Sequence, residues 1–240
     1  MSHFAQPMSH NGEFEFWRNR SQISLQPVAA PSILGLFGFA AATFVVATNL
    51  AGWYGGTSTP NFLFPFVAFT GGLAQFLAGM WAYRARDGLA TAMHGIWGAF
   101  WLAYALLFLL VAVGVLTPPT PFVALGYWFI ALAAITWSGA LAALGRNIGF
   151  ALVLTALAAG ATCQAIGQLA DISPWRTAGA WLFIASAVLA WYVATALLLE
   201  SSFGRVVLPM GIVRGPNVPG RQTRQTIQFT AGEPGVKVGQ

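Results

Sequence analysis

The chain has 240 residues, of which 57% are hydrophobic and only 7% charged, with a net charge of +5. A soluble domain carries about 25% charged residues, so the composition excludes a water-soluble globular protein and points to a polytopic membrane protein. The single cysteine, Cys163, lies in an apolar run and excludes an intramolecular disulfide framework.

Residues 1–30 form a mixed polar leader, expected to be disordered apart from a short interfacial helix around Phe14–Arg18. The first apolar run starts only after this leader and is too long for a signal-peptide core. It extends from Pro31 to Tyr54, and its uncharged core, Ile33 to Leu50, is 18 residues long. With its flanks it reaches the about 20 residues that a membrane-crossing helix needs. Gly35, Gly38 and Ala42 share one face of that helix, continued by Asn49. A face so bare suits close approach by another helix, with Asn49 toward protein or water. Phe39 and Thr43 lie on an adjoining face.

Five more spans follow, at about Asn61–Tyr83, Leu89–Leu116, Phe122–Leu144, Ile148–Ala170 and Pro174–Leu199. In the second, Gly71, Gln75 and Gly79 fall on one face; in the fifth, Gly160, Gln164 and Gln168 do the same. The third carries His94 in its first turns, followed by Trp97, Trp101, Tyr104 and Phe108. Ser173 and Pro174 read as N-cap and first residue of the sixth span. The remainder, residues 201–240, is a basic tail expected to be disordered from about 214. The expected architecture is therefore all-α, with a six-span membrane domain over residues 31–200.

Six spans place both termini on one side. That side collects ten of the eleven basic residues; only Arg176 falls on the other. The positive-inside rule makes the basic side cytoplasmic, which accounts for the net charge without nucleic acid. The expected location is the inner or plasma membrane.

An enzyme is not expected. No acid, Lys or Arg lies at the centre of a span, and there is no Cys/His cluster with metal spacing, no phosphate-cradling loop and no Ser–His–Asp set. No cofactor or metal is expected either. What the spans offer a solute is aromatic rings and the polar groups of Thr43, Asn49, Gln75 and Gln164. These suit a small neutral or monovalent species crossing an apolar constriction. The same amides also suit simple bonds to a neighbouring helix, worth about 0.6 kcal/mol each. His94 reads as an interfacial or capping residue, with a proton-linked role as the sharper alternative. Trp53, Trp81 and Trp175 read as aromatic-belt anchors.

Three stretches carry a resemblance: Ala30–Thr43 (APSILGLFGFAAAT), Phe69–Arg84 (FTGGLAQFLAGMWAYR) continued by Gly98–Leu102 (GAFWL), and Phe203–Gly211 (FGRVVLPMG). Together they resemble the acetate uptake transporter family, which includes bacterial succinate–acetate permeases and yeast ammonia/acetate export proteins. The resemblance implies a homo-hexameric ring in the lipid bilayer, with a pathway for acetate or other short monocarboxylates in each protomer, channel-like or proton-coupled. It also implies a constriction of three side chains, matched here by Phe39, Trp97 and Leu154. Two departures stand out. The family's leading Asn-Pro-x-Pro is reduced to Ala29-Ala30-Pro31-Ser32. Trp97 stands where the family has Tyr, so a hydroxyl is replaced by bulk and a lone indole N–H. The alternatives to acetate are ammonia or ammonium transport, with cation–π contact at Phe39 and Trp97, and a membrane scaffold that moves nothing.

Overall fold

The structure is a computed structural model that describes residues 29–117 and 122–211. The expected leader, its interfacial helix and the tail from about 214 lie outside the described residues. Among those described there is no strand, and six helices are long and apolar enough to cross a bilayer. They are α1 (Pro31–Leu50), α2 (Pro60–Arg84), α3 (Gly88–Ala112), α4 (Val123–Ala143), α5 (Ile148–Leu169) and α6 (Ser173–Phe203).

The helix ends follow from local chemistry. Pro31 and Pro60 stand in the first turns of α1 and α2, where a missing N–H costs nothing. Asp87 caps α3 by accepting from the Ala90 N–H at 3.0 Å, and Asn147 caps α5 by accepting from the Phe150 N–H at 2.8 Å. The expected cap of α6 differs: Ser173 is already helical, and Ile172 precedes it with no side-chain cap. Two spans are shorter than their apolar runs. The first stops at Leu50, where Asn49 Nδ2 donates to Tyr54 O (2.9 Å) and ties down the turn. The third stops at Ala112, just before Gly114 at φ 75°.

The last helix runs beyond the expected Leu199 to Phe203 and ends at Gly204 in the left-handed region. The chain then folds back on the start of α5. Ile148 N–H donates to Gly211 O (2.8 Å), Gly149 N–H to Met210 O (2.9 Å), and Tyr192 OH to Pro209 O (2.7 Å). Met210 is buried in the core. The first part of the expected basic tail is thus packed against the start of α5 and against α6.

Each helix packs on the next in sequence, and α6 closes against α1, so the six make a ring. The seam between α3 and α4 is the most sparsely packed. Helix α2 is interrupted by a π-helical turn, Ala68–Ala74, that contains the weak helix formers Thr70, Gly71 and Gly72. Its Thr70 carbonyl sits against Gly38, where a Cβ would lie 2.4 Å from the oxygen. Only glycine lets α1 come this near, and this close approach is what the bare face of the first span is for.

Candidate functional site

Inside the ring, Trp97 is the hub of an aromatic cluster. Its ring meets Phe39 of α1 edge-to-face at 6.2 Å, Phe100 at 5.4 Å and Phe183 of α6 at 6.2 Å. Phe129 of α4 joins through Phe100 (5.9 Å) and Phe183 (6.2 Å). Exposure is only 2% for Phe39, 2% for Trp97 and 6% for Leu154. The three implied constriction residues thus come from α1, α3 and α5, and the fold brings them to one cavity wall.

Two cavities meet at Trp97. A narrow one of about 30 Å³ lies toward the end of the ring that carries the α2–α3 and α4–α5 turns. Phe39, Trp97 and Leu154 line it together with Ser32, Gln75, His94 and Arg146. A wide one of about 310 Å³ lies toward the opposite end and carries Thr43, Trp101, Tyr104, Gln164 and Gln168. The aromatic cluster separates them.

Among the described residues, four buried side-chain polar atoms have no hydrogen-bond partner: Ser32 Oγ, Gln75 Oε1, Thr43 Oγ1 and Trp101 Nε1. Leaving such a group dry and unpaired costs about 1–3 kcal/mol, so buried polar atoms are nearly always satisfied. Here all four belong to cavity-lining residues, Ser32 and Gln75 on the narrow side, Thr43 and Trp101 on the wide side. All four therefore stand on cavity walls without a protein partner.

The indole N–H of Trp97 is not available in this way. It donates to Thr136 Oγ1 of α4 at 3.0 Å, and that hydroxyl donates to Leu132 O at 2.6 Å. The donor gained with Trp97 is spent across the α3–α4 seam, and the ring presents its apolar faces to the neighbouring aromatics.

The other candidates divide. Thr43, Gln75 and Gln164 are buried on cavity walls. Gln164 also uses Nε2 to reach Arg176 O at 2.8 Å, so it both bonds to α6 and lines the wide cavity. Asn49 lines neither cavity; at the last turn of α1 its amide is used by the Tyr54 carbonyl. His94 is not interfacial. It shares the inward face of α3 with Ala90, Trp97 and Trp101, and its ring fills the space left by Gly35. Among the described residues no group of three or more His, Cys, Asp or Glu side chains comes together as a metal site would require.

Sequence reasoning missed Phe183, Phe129 and the Asp87–Arg146 pair. One signal pointed to Phe183: Gly160 is bare, and a Cβ there would lie 2.5 Å from the Phe183 ring. Arg146 donates to Asp87 twice, Nη1 to Oδ2 at 2.8 Å and Nη2 to Oδ1 at 2.6 Å. The two are 59 residues apart, and both lie in short turns, where charge reads only as topology.

A helical ring in the membrane, with two mostly apolar cavities that each carry a few polar side chains on either side of an aromatic cluster, is an architecture that suits a channel or carrier for small solutes. Comparison with known proteins agrees. The profile of the GPR1/FUN34/yaaH family matches residues 15–212, and the chain belongs to that family. It is 28% identical over 190 residues to the succinate-acetate/proton symporter SatP of Escherichia coli K12, covering 77% of this chain and 96% of that protein. It is 34% identical over 95 residues to acetate permease A of Emericella nidulans, covering 40% of this chain and 31% of that protein. Among solved structures it matches the bacterial acetate channel SatP with a TM-score of 0.71 at 25% identity, covering 77% of this chain and 99% of the other.

Proposed function

We propose that this protein carries acetate and related short monocarboxylates across the membrane, from one cavity to the other past Phe39, Trp97 and Leu154, whose side chains must yield for the solute to pass. One observation carries the reading: the four unpaired buried polar atoms fall two on each side of the aromatic barrier. Ser32, Thr43 and Trp101 bring O–H or N–H donors, and the Gln75 amide brings N–H groups with its acceptor. A carboxylate that sheds water is thus met by donors before and after the barrier. Its methyl group suits the barrier itself, where a charged end would lose hydration without compensation. A dicarboxylate must take a second charge through the same gap, so it crosses less well.

His94 is the titratable side chain on the narrow cavity that is free of an ion pair; Asp87 and Arg146 face each other. No carboxylate or imidazole lines the wide cavity. A proton relay would have no continuation beyond Trp97, so His94→Gln is expected to leave the pH profile of uptake unchanged. Loss of that profile would assign His94 a proton-linked role.

On this reading the protein acts without catalysis in the inner or plasma membrane, and the ten-to-one basic asymmetry supports both termini in the cytoplasm. It assembles as a ring of six. Phe62, Phe66, Phe69 and Trp81 of α2 and Trp128 and Trp137 of α4 are exposed on a single protomer and supply apolar faces for neighbours or lipid.

The test is uptake of labelled acetate into liposomes that hold the purified full chain, with lactate, succinate and ammonium as competitors. Acetate uptake above that of empty liposomes, inhibited more by lactate than by succinate, is expected. Ammonium flux without acetate flux would favour the ammonium reading, and no flux of either would leave a scaffold. Mass measurement in mild detergent checks the hexamer.

A further inference from the structure

Of the Asp87–Arg146 pair, Arg146 lines the narrow cavity and is partly exposed, while Asp87 lies behind it. Asp87 has 1% of its side chain exposed and Arg146 33%. Asp87 is also fully engaged. It caps α3 through Ala90 N–H (3.0 Å) and holds two guanidinium nitrogens at 2.6 and 2.8 Å. A bidentate pair fixes the plane of an arginine. The guanidinium has five N–H donors, and among the described residues its protein hydrogen bonds go to Asp87 alone. Arg146 is among the residues that line the narrow cavity, together with Ser32 and Gln75, whose Oγ and Oε1 have no protein partner.

We propose that Arg146, held in orientation by Asp87, is a carboxylate-reading subsite at the mouth of the narrow cavity. This rests on the transport reading and adds to it the group that first distinguishes an anion from a neutral solute. The buried carboxylate behind the guanidinium offsets most of its charge. The subsite therefore binds weakly and releases quickly, as a passage requires. An arriving carboxylate pairs with the outer edge of Arg146, then exchanges to Ser32 and Gln75 as it moves toward Phe39 and Trp97.

A pair that only clamps the α4–α5 turn to the start of α3 makes a different prediction, and the two partners separate the cases. Asp87→Asn keeps a good helix cap and nearly the same shape, but leaves the Arg146 charge uncompensated. Half-saturating acetate in proteoliposomes should then fall by about three-fold or more, with a lower maximal rate, because tighter binding slows release. Arg146→Gln should do the opposite and raise half-saturating acetate by about ten-fold, the equivalent of one lost charged contact. Arg146→Gln alone strands a buried carboxylate and risks misfolding. The double variant Asp87→Asn with Arg146→Gln is neutral and keeps the cap, and should show the same raised half-saturation. Shifts in the same direction for Asp87→Asn and the double variant, or an unchanged half-saturation in the double variant, would overturn the proposal and leave a clamp.

A second measurement is independent of transport. Acetate should raise the melting temperature of the detergent-solubilised full chain, with chloride at matched ionic strength as control, and the double variant should lose that rise. If wild-type liposomes take up no acetate, the transport reading fails, yet a rise abolished in the double variant would still support the subsite. A wild-type protein that acetate does not stabilise, or a double variant that it stabilises equally, would overturn it.

Discussion

The two cavities that meet at Trp97 differ about ten-fold in volume, about 30 Å³ against about 310 Å³. The smaller carries an arginine, a histidine, a glutamine and a serine. The larger carries a threonine, two glutamines and aromatic N–H and O–H groups, with no charge. A single water needs about 10–15 Å³ of such space, so the narrow side has room for only a few waters or one small group, while the wide side has room for a solute with part of its hydration shell. The difference teaches that selection belongs where space is short. A group can discriminate among solutes only where water cannot substitute for it. On the transport reading, the donors of the wide side meet a solute that still keeps part of its water, and those of the narrow side meet one that has lost most of it.

Removing the barrier that separates the two sides should have the largest effect. Trp97→Ala joins the cavities, and it removes a buried aromatic at a cost of about 3–5 kcal/mol, so folding and assembly must be checked alongside. Succinate and lactate flux relative to acetate should rise by about ten-fold. Phe39→Ala should act the same way more weakly, since Trp97 keeps its contacts to Phe100 and Phe183. Competitive uptake of the three labelled acids measures it. Unchanged ratios in both variants would mean that these side chains pack the ring without forming the constriction.

Next comes a direct contrast of the two sides. Gln75→Leu removes an amide whose Oε1 is unpaired, together with its N–H donors, and Thr43→Val removes an unpaired hydroxyl, both at similar side-chain volume. On the narrow side the amide has little water to replace it, so Gln75→Leu should reduce acetate uptake by about ten-fold, close to 1.4 kcal/mol in the barrier. On the wide side water takes over, so Thr43→Val should cost about two-fold or less. Neither should lower the melting temperature, because no protein hydrogen bond is lost. Equal effects from the two would erase the distinction between selecting and wetting.

Much of the architecture was legible in the residues, and the reasons the rest was not are physical. The spans follow from uninterrupted apolar length, and the close α1–α2 approach at Gly38 follows from a bare helical face. The inward face of a membrane helix is harder to read. Lipid and protein interior are both apolar, so the contrast that marks a buried face in water is missing. Phe183 and Phe129, in the barrier, look in sequence like Trp181 and Trp191, exposed on the outside. His94 was misjudged because nearness to a helix start says nothing about which face it occupies. Asn49 faces protein, as expected, but the apolar run continues past the actual helix end, so its amide closes the last turn of α1 on the Tyr54 carbonyl and lines neither cavity. Asp87 and Arg146 meet only when the ring closes.

The smallest expected effect concerns how Trp97 is held. Thr136 Oγ1 accepts the indole N–H at 3.0 Å and passes its own proton to Leu132 O at 2.6 Å, so the tie is satisfied at every atom. It also crosses the most sparsely packed seam of the ring. Thr136→Val keeps the volume but removes the acceptor, which strands a buried N–H and should cost about 1–2 kcal/mol of stability. Part of that loss is recovered if the indole swings so that its N–H meets water or solute in a cavity. A swung Trp97 presents a donor where an apolar face stood, and the barrier becomes more permissive to polar solutes. Lactate, which is larger than acetate by one carbon and a hydroxyl, should gain about two- to three-fold over acetate, or about 0.4–0.7 kcal/mol. Thr136→Ser retains the acceptor and should change neither property by as much. In Trp97→Phe there is no indole N–H to strand, so adding Thr136→Val should leave the lactate-to-acetate ratio as it is in Trp97→Phe alone. That non-additivity separates an effect transmitted through the indole from a general loosening of the α3–α4 seam. A ratio that rises equally in both backgrounds would place the role of Thr136 in seam packing and remove it from the control of Trp97.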